Sequence, residues 1–165
     1  MTPAGAPREF VLFEVGDHLG AVRVAQVEEV LPIASLSQEP GSPAILAGFL
    51  NLDGEPVPVL RLSRLIEALD APSEMELHTP VLLARHADRR LGLIVRRVLR
   101  IVRAQTVELA ALGAHGVAPE AIEVEGRLIP VFSVEGLLLE EERARLAKLQ
   151  DAQRNRLRDL EGAHA

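Results

Sequence analysis

The chain has 165 residues, 48% of them hydrophobic, with no Cys, Trp or Tyr and only four Phe. Such a length and apolar content fit one packed domain, or two small lobes sharing a core, and exclude a disordered chain, a disulfide framework and thiolate metal sites. The net charge of −6 argues against general nucleic-acid binding.

In chain order, residues 1–8 read as a mobile tail, with Pro3 and Pro7 among small spacers. Phe10–Val15 reads as a buried strand and Gly16-Asp17-His18 as a turn. Leu19–Ala25 and Gln26–Leu31 read as two further strands. Residues 32–43, rich in Ser, Pro and Gly, read as a loop. Phe49–Leu52 and Val57–Leu62 are strands joined through Asp53-Gly54, an Asp-Gly pair in which Gly accepts the positive φ of a tight hairpin. Pro56 and Pro58 lack the N–H a ladder needs, which places the second strand at an edge or makes its start irregular. Ser63–Leu69 reads as a short helix and Asp70–His78 as a polar linker.

The pattern then restarts. Thr79–Arg85, a turn at Ala87-Asp88-Arg89, Leu91–Arg97 and Val98–Arg103 repeat the earlier order of short apolar runs. An offset of 72 positions lays Leu19-Gly20 on Leu91-Gly92, Gly41 on Gly113, Gly54 on Gly126 and Pro58-Val59 on Pro130-Val131. Turn glycines and a Gly-x-x-x-Pro-Val unit that keep one offset indicate two related β lobes, each too small to stand comfortably alone. The expected architecture is mainly β, with lobes over about 9–70 and 79–134, intertwined.

From Val134 the period becomes helical. Leu139, Leu146, Leu149 and Leu160 fall near one face, interrupted by Gln153 and Arg156, while acids lead and bases follow in accord with the helix dipole. Two readings stay open for this C-terminal helical tail over 140–165: a helix whose first turns dock and whose end is solvated, or one that self-associates. The cluster Arg85, Arg89, Arg90, Arg96, Arg97, Arg100 and Arg103 also has two readings, a solvated strand face or a basic patch for an acidic partner.

Catalytic chemistry has no foothold. His18, His78, His86, His115 and His164 lack metal-ligand spacing. There is no phosphate loop and no nucleophile elbow. The neighbouring carboxylates Glu28 and Glu29 point to opposite faces of a strand. No run approaches the roughly 20 apolar residues that span a bilayer, and MTPAGAPREF is unlike a signal peptide. A cytoplasmic protein without direct membrane insertion is expected.

Several segments, in order, resemble the CheW-like domain family. They are Gly20-Ala21-Val22 running into Val27-Glu28-Glu29-Val30-Leu31, Gly48-Phe49-Leu50-Asn51-Leu52-Asp53-Gly54 followed by Pro56-Val57-Pro58-Val59-Leu60, Leu91-Gly92-Leu93-Ile94-Val95, and Gly126-Arg127-Leu128-Ile129-Pro130-Val131 with Leu137-Leu138. The resemblance covers about residues 9–139. It implies two small five-stranded antiparallel SH3-like β-barrels packed around a shared apolar core, with short helices and a C-terminal α-helix. It also implies a cofactor-free, non-enzymatic adaptor that holds the regulatory domain of a CheA-type histidine kinase against the cytoplasmic tips of methyl-accepting chemoreceptors. With neither a kinase segment nor a receiver domain, the chain resembles a stand-alone member.

Carried over position by position, partner contacts fall on Val27, Glu29, Gly48, Asn51, Asp53, Gly54 and Arg61. For Gly48 and Gly54 a turn role competes with contact, for Asn51 a hairpin hydrogen bond, and for Val27 a place in the core. The chain departs from the family at Asp53, where Arg is usual, at Arg61 and Arg96, where acids are usual, and at Phe132-Ser133 in place of Leu-Asp. These changes lead to the expectation that Asp53 and Arg61 form a charge-swapped pair and that the partner differs from the usual one.

Overall fold

The computed structural model describes residues 4–32, 36–37, 43–66, 80–108 and 117–163. Ten strands and two α-helices run in the order β1 (Ala4–Val15), β2 (His18–Arg23), β3 (Val27–Leu31), β4 (Leu46–Leu52), β5 (Glu55–Arg61), α1 (Ser63–Ile66), β6 (Val81–His86), β7 (Arg89–Ile94), β8 (Arg97–Glu108), β9 (Glu120–Val124), β10 (Arg127–Val131) and α2 (Val134–Ala163). A 3₁₀ turn, Val24–Gln26, separates β2 from β3. The protein is mainly β, with two five-stranded sheets. One is a closed barrel of order β1-β2-β10-β9-β8, and the other has order β3-β6-β7-β5-β4.

Each sheet takes a hairpin from one half of the chain and three strands from the other. The barrel joins β1 and β2 to β8, β9 and β10, whereas the second sheet joins β6 and β7 to β3, β4 and β5. The exchange introduces one parallel pair per sheet into a ladder expected to be wholly antiparallel. Val131 faces Ala21 in β10–β2, and Val59 faces Gly92 in β5–β7. The second sheet has β3 and β4 as its outer strands, and Ser37 bridges Phe49 beside β4 through two backbone hydrogen bonds of 3.0 and 2.9 Å.

Burial explains the exchange. Along β1, Phe10 and Leu12 point into the barrel interior with Ile122, Ile129 and Val131, whereas Val11, Phe13 and Val15 point outward into a second apolar cluster. That cluster also holds Leu60 and Leu62, Leu82, Leu91 and Leu93, Phe132, and Val134, Leu137 and Leu138, so it draws on both sheets and on α2. Strands buried on both faces read as continuous apolar runs rather than alternating ones. A third cluster, Ala47, Leu50, Val59 and Val81, fills the second sheet.

The repeat glycines have matching duties. A Cβ on Gly20 would lie 2.8 Å from the rings of Phe13 and Phe132, and a Cβ on Gly92 would lie 2.9 Å from Val59 and 3.0 Å from Val81. Both sit at the seam where a parallel strand approaches. The hairpins at Asp53-Gly54 (φ 52° and 85°) and Glu125-Gly126 (φ 52° and 77°) carry two successive positive φ values, as tight two-residue turns require. Gly41 and Gly113, the remaining aligned pair, lie outside the described residues.

Among the differences from the sequence reading, three bear on the architecture. β1 begins at Ala4, not near Phe10, because the long β8 pairs Ala4 with Thr106 and Gln105 donates to the Gly5 carbonyl. β8 continues to Glu108, since its last residues pair with β9. β5 is an interior strand despite its prolines. Arg61 N–H donates to the Ile45 carbonyl on the β4 side, so alternation turns the nitrogens of Pro56 and Pro58 away from β4, and β7 pairs only from Val59 onward. α1 matches the start of the short helix at Ser63, while the polar linker at 70–78 lies outside the described residues.

Gly92→Ala is expected to cost about 1–3 kcal/mol in urea unfolding, because Val59 and Val81 on two flanking strands must both give way. Gly162→Ala, in open space in the last turn of α2, is expected to change stability by less than about 0.5 kcal/mol. An unchanged midpoint for Gly92→Ala would contradict the close-approach role.

Candidate functional site

The seven residues singled out in the sequence separate into three environments. Val27, on β3, is half-buried against the cluster shared by both sheets. Gly48 is buried on β4 at φ 148°, and a Cβ there would lie 2.8 Å from the Ser37 carbonyl oxygen. Its smallness lets the 36–37 segment bridge β4, which is a packing duty rather than a turn. Arg61, at the base of β5, donates through Nη1 to the carbonyls of Ala44 and Leu46, both at 3.1 Å. Burial first, and the nearby Arg64 charge second, pull its pKa below the usual guanidinium value.

Asn51 and Gly54 build the hairpin. The Gly54 N–H donates to Asn51 Oδ1 at 2.9 Å, a local side-chain bond that fixes the turn. Glu29 and Asp53 form the third group. Both are exposed, Glu29 on the outer strand β3 and Asp53 at the hairpin tip, and neither has an ion-pair partner among the described residues.

The Asp53–Arg61 pair expected from the sequence does not form. Asp53 sits at the tip of the β4–β5 hairpin and Arg61 at the opposite end of β5. Six residue steps of extended chain, from Glu55 to Arg61, span about 20 Å. Arg61 replaces an acid not to match Asp53 but to bind the backbone where the chain enters β4.

A groove of about 380 Å³ opens beside the hairpin, lined by Ser37, Phe49, Asn51, Gly54, Pro56 and Arg145. Arg145, read from the sequence only as one of the helix's bases, comes from α2. Its guanidinium carbon lies 5.5 Å from the centre of the Phe49 ring, and its Nη1 donates to Glu141 Oε1 at 3.1 Å. Glu141 is 1% exposed, and its Oε2 is buried without a hydrogen-bond partner among the described residues. The local signal was the i,i+4 Glu-Arg spacing. What could not be read was that Phe49, far away in sequence, would lie under that arginine.

A larger depression of about 540 Å³ lies near Glu28, Arg85, His86 and Arg90. Its charges satisfy one another, since Arg85 and Arg90 both reach Glu28, at 3.3 and 3.4 Å. The hairpin groove is therefore the better candidate despite its smaller size. The rest of the arginine cluster behaves similarly. Arg89 pairs with Glu142, Arg96 with Asp17, Arg97 with Glu14 and Arg100 with Glu125. Spread over β6, β7 and β8 and largely matched to acids, it forms a solvated face of weak ion pairs.

His86 lies 3.9 Å from Glu135, and His78, His115 and His164 are outside the described residues. No cluster of three or more His, Cys, Asp or Glu able to hold a metal occurs among the described residues. No helix among them is long and apolar enough to cross a membrane. The site thus consists of outer strands, a rigid hairpin and a helix-lined groove, which is the make-up of a binding surface.

Two sheets that exchange hairpins around a common core define a two-lobed β fold, and comparison with known proteins gives the family. The sequence profile of the CheW-like domain matches residues 9–142. The chain belongs to the CheW-like domain family. It is 26% identical over 142 residues to the chemotaxis protein CheW of Rhizobium meliloti, covering 82% of this chain and 90% of that protein. It is 25% identical over 145 residues to the chemotaxis protein CheW of Thermotoga maritima, covering 84% and 94%. In fold it is similar to the crystal structure of the scaffolding protein TtCheW from Thermoanaerobacter tengcongensis, with a TM-score of 0.69 at 17% identity over 78% of this chain and 90% of that one.

Arg145→Ala is expected to destabilise the protein by about 1–3 kcal/mol, since it leaves both oxygens of buried Glu141 unpaired. Glu141→Met is expected to be neutral or stabilising by about 1–2 kcal/mol, because an apolar side chain removes a partly unsatisfied buried group. In the double variant most of the Arg145→Ala loss should vanish. Additive losses in a double-mutant cycle of urea melts would refute the coupling.

Proposed function

We propose that this chain is a non-enzymatic cytoplasmic adaptor of chemosensory signalling. It couples the regulatory domain of a CheA-type histidine kinase to the tips of methyl-accepting chemoreceptors. The observation that carries the reading is a family match running through both sheets and into α2, with chemotaxis CheW proteins aligned over most of their own length.

The geometry supplies a physical route to coupling. β3, an outer strand of the second sheet, presents backbone donors and acceptors that a partner can engage, whereas on β4, the other outer strand, Phe49 is already bridged to Ser37. Glu29 marks the first and Asp53 the tip of the hairpin leading from the second. Two separate contact surfaces on one rigid body are what an adaptor needs to hold two proteins at once. In this reading Asn51 and Gly54 set the shape of the hairpin and Val27, Gly48 and Arg61 hold the strands that carry it, while Glu29 and Asp53 supply the charge a partner meets. The family's usual Arg is replaced by Asp53, so the cognate partner carries complementary positive charge opposite the hairpin.

Calorimetric titration against a CheA regulatory domain and a receptor-tip fragment tests the reading. Binding is expected to at least one of them. Glu29→Arg and Asp53→Arg should each change the affinity for the cognate partner by about tenfold, mainly through the on-rate. Glu29→Arg should change folding stability by no more than about 0.5 kcal/mol, because the site is exposed, whereas Asp53→Arg, at a positive φ, should cost about 1 kcal/mol. Binding to neither protein would overturn the coupling role, and unchanged affinity in both variants would remove these residues from the interface.

A further inference from the structure

The C-terminal helix is far longer than its docking requires. α2 spans 30 residues, about 45 Å. It joins the core only through its first turns, where Val134, Leu137 and Leu138 are buried. Ser133 caps its start by accepting the Gly136 N–H at 3.1 Å. From Leu146 through Gly162 every residue is exposed. Most helical stability in proteins comes from packing an apolar face, and this stretch packs none within the described residues.

An apolar face is present. Leu139, Leu146, Leu149, Leu157 and Leu160 are each 55–62% exposed, and at 3.6 residues per turn they fall within an arc of about 80°. The steps from Leu146 through Leu149, Gln153 and Leu157 to Leu160 read the same in both directions about Gln153.

We propose that this stripe is the interface of a homodimer in which two copies of α2 pair antiparallel about a two-fold axis at Gln153. Leu146 then lies level with Leu160 of the second copy, and Leu149 with Leu157. The two Gln153 amides face each other, each able to donate and to accept, and a lone polar pair in such a seam fixes register. The overlap covers about 20 residues, or 30 Å of helix.

The flanking charges select the orientation. Arg143, Arg154 and Glu161 border the stripe on one side, and Arg145 and Arg156 on the other. An antiparallel pair brings like flanks together, setting Arg143 beside Glu161 of the second copy, twice by symmetry, against a single like-charge approach of Arg154 to its own copy near the axis. A parallel pair brings opposite flanks together, setting Arg143 against Arg145 and Arg154 against Arg156. Opposed like charges disfavour that arrangement. The antiparallel arrangement also keeps the two acidic β bodies at opposite ends of the helix pair. The inference goes beyond the coupling role and does not depend on it.

Sedimentation equilibrium of the full chain tests the dimer. Association is expected at about 100 µM or below, and Leu149→Glu/Leu157→Glu should raise the dissociation constant about 100-fold or more while leaving the β-sheet circular dichroism unchanged. The chain has no cysteine, so single-cysteine variants report orientation under mild oxidation. Leu146→Cys mixed with Leu160→Cys should cross-link, and Leu146→Cys alone should not. A monomer at about 100 µM, or a dimer indifferent to the double Glu substitution, would overturn the interface. Self-cross-linking of Leu146→Cys would overturn the antiparallel arrangement.

Discussion

The rest of the structure depends on one constraint: β1 must bury both of its faces at once. Phe10 and Leu12 complete the barrel interior, while Val11, Phe13 and Val15 form part of the cluster that joins the two sheets. A sheet closed on its own could bury only the first set. The second set finds cover because β6 and β7 lie in the other sheet and contribute Leu82, Leu91 and Leu93 to the same cluster. Exchange of hairpins between the halves thus follows from how the apolar residues are distributed. Gly20 and Gly92 permit it, each leaving room at the seam that a Cβ would fill.

A body fixed by a shared core leaves its outer strands free to vary. The departures from the family pattern at Asp53 and Arg61 fall on the hairpin that borders the candidate groove, and they have unlike consequences. Arg61 is absorbed into the structure by two backbone carbonyls. Asp53 stays in solvent at a positive φ that an Asp tolerates, where its charge costs the fold little and meets whatever binds. α2 links the two levels. Its first turns belong to the core, while Arg145 over Phe49 lines the groove beside the hairpin.

Much of this was written in local sequence. The Asp53-Gly54 turn, the glycines and Pro-Val units at one offset and the change to helical period at Val134 follow from residue chemistry at short range, and the family motifs were legible by resemblance. That the lobes intertwine was expected, but which hairpins exchange was not legible in that way, because a repeat fixes which strands are alike and not which ones pair. For β5 the prolines left an edge strand or an irregular start open, and the second holds, since the strand is interior but β7 pairs only from Val59 onward. At the site, the Asn51 turn bond was open to inference from its three-residue spacing to Gly54. The positions of Arg61 and Arg145 were not, since each is held by groups that only tertiary structure brings near. The expected salt bridge from Arg61 to Asp53 failed for a geometric reason: charge matching between two motif positions ignores the length of the strand between them.

The proposed coupling role is tested most directly by receptor control of kinase activity. Chemoreceptors in membranes and a CheA-type kinase would be assembled with and without this protein, and autophosphorylation followed on adding attractant. The account predicts that the kinase becomes receptor-activated and attractant-sensitive only when the chain is present. Kinase activity that is the same with and without it would contradict the account.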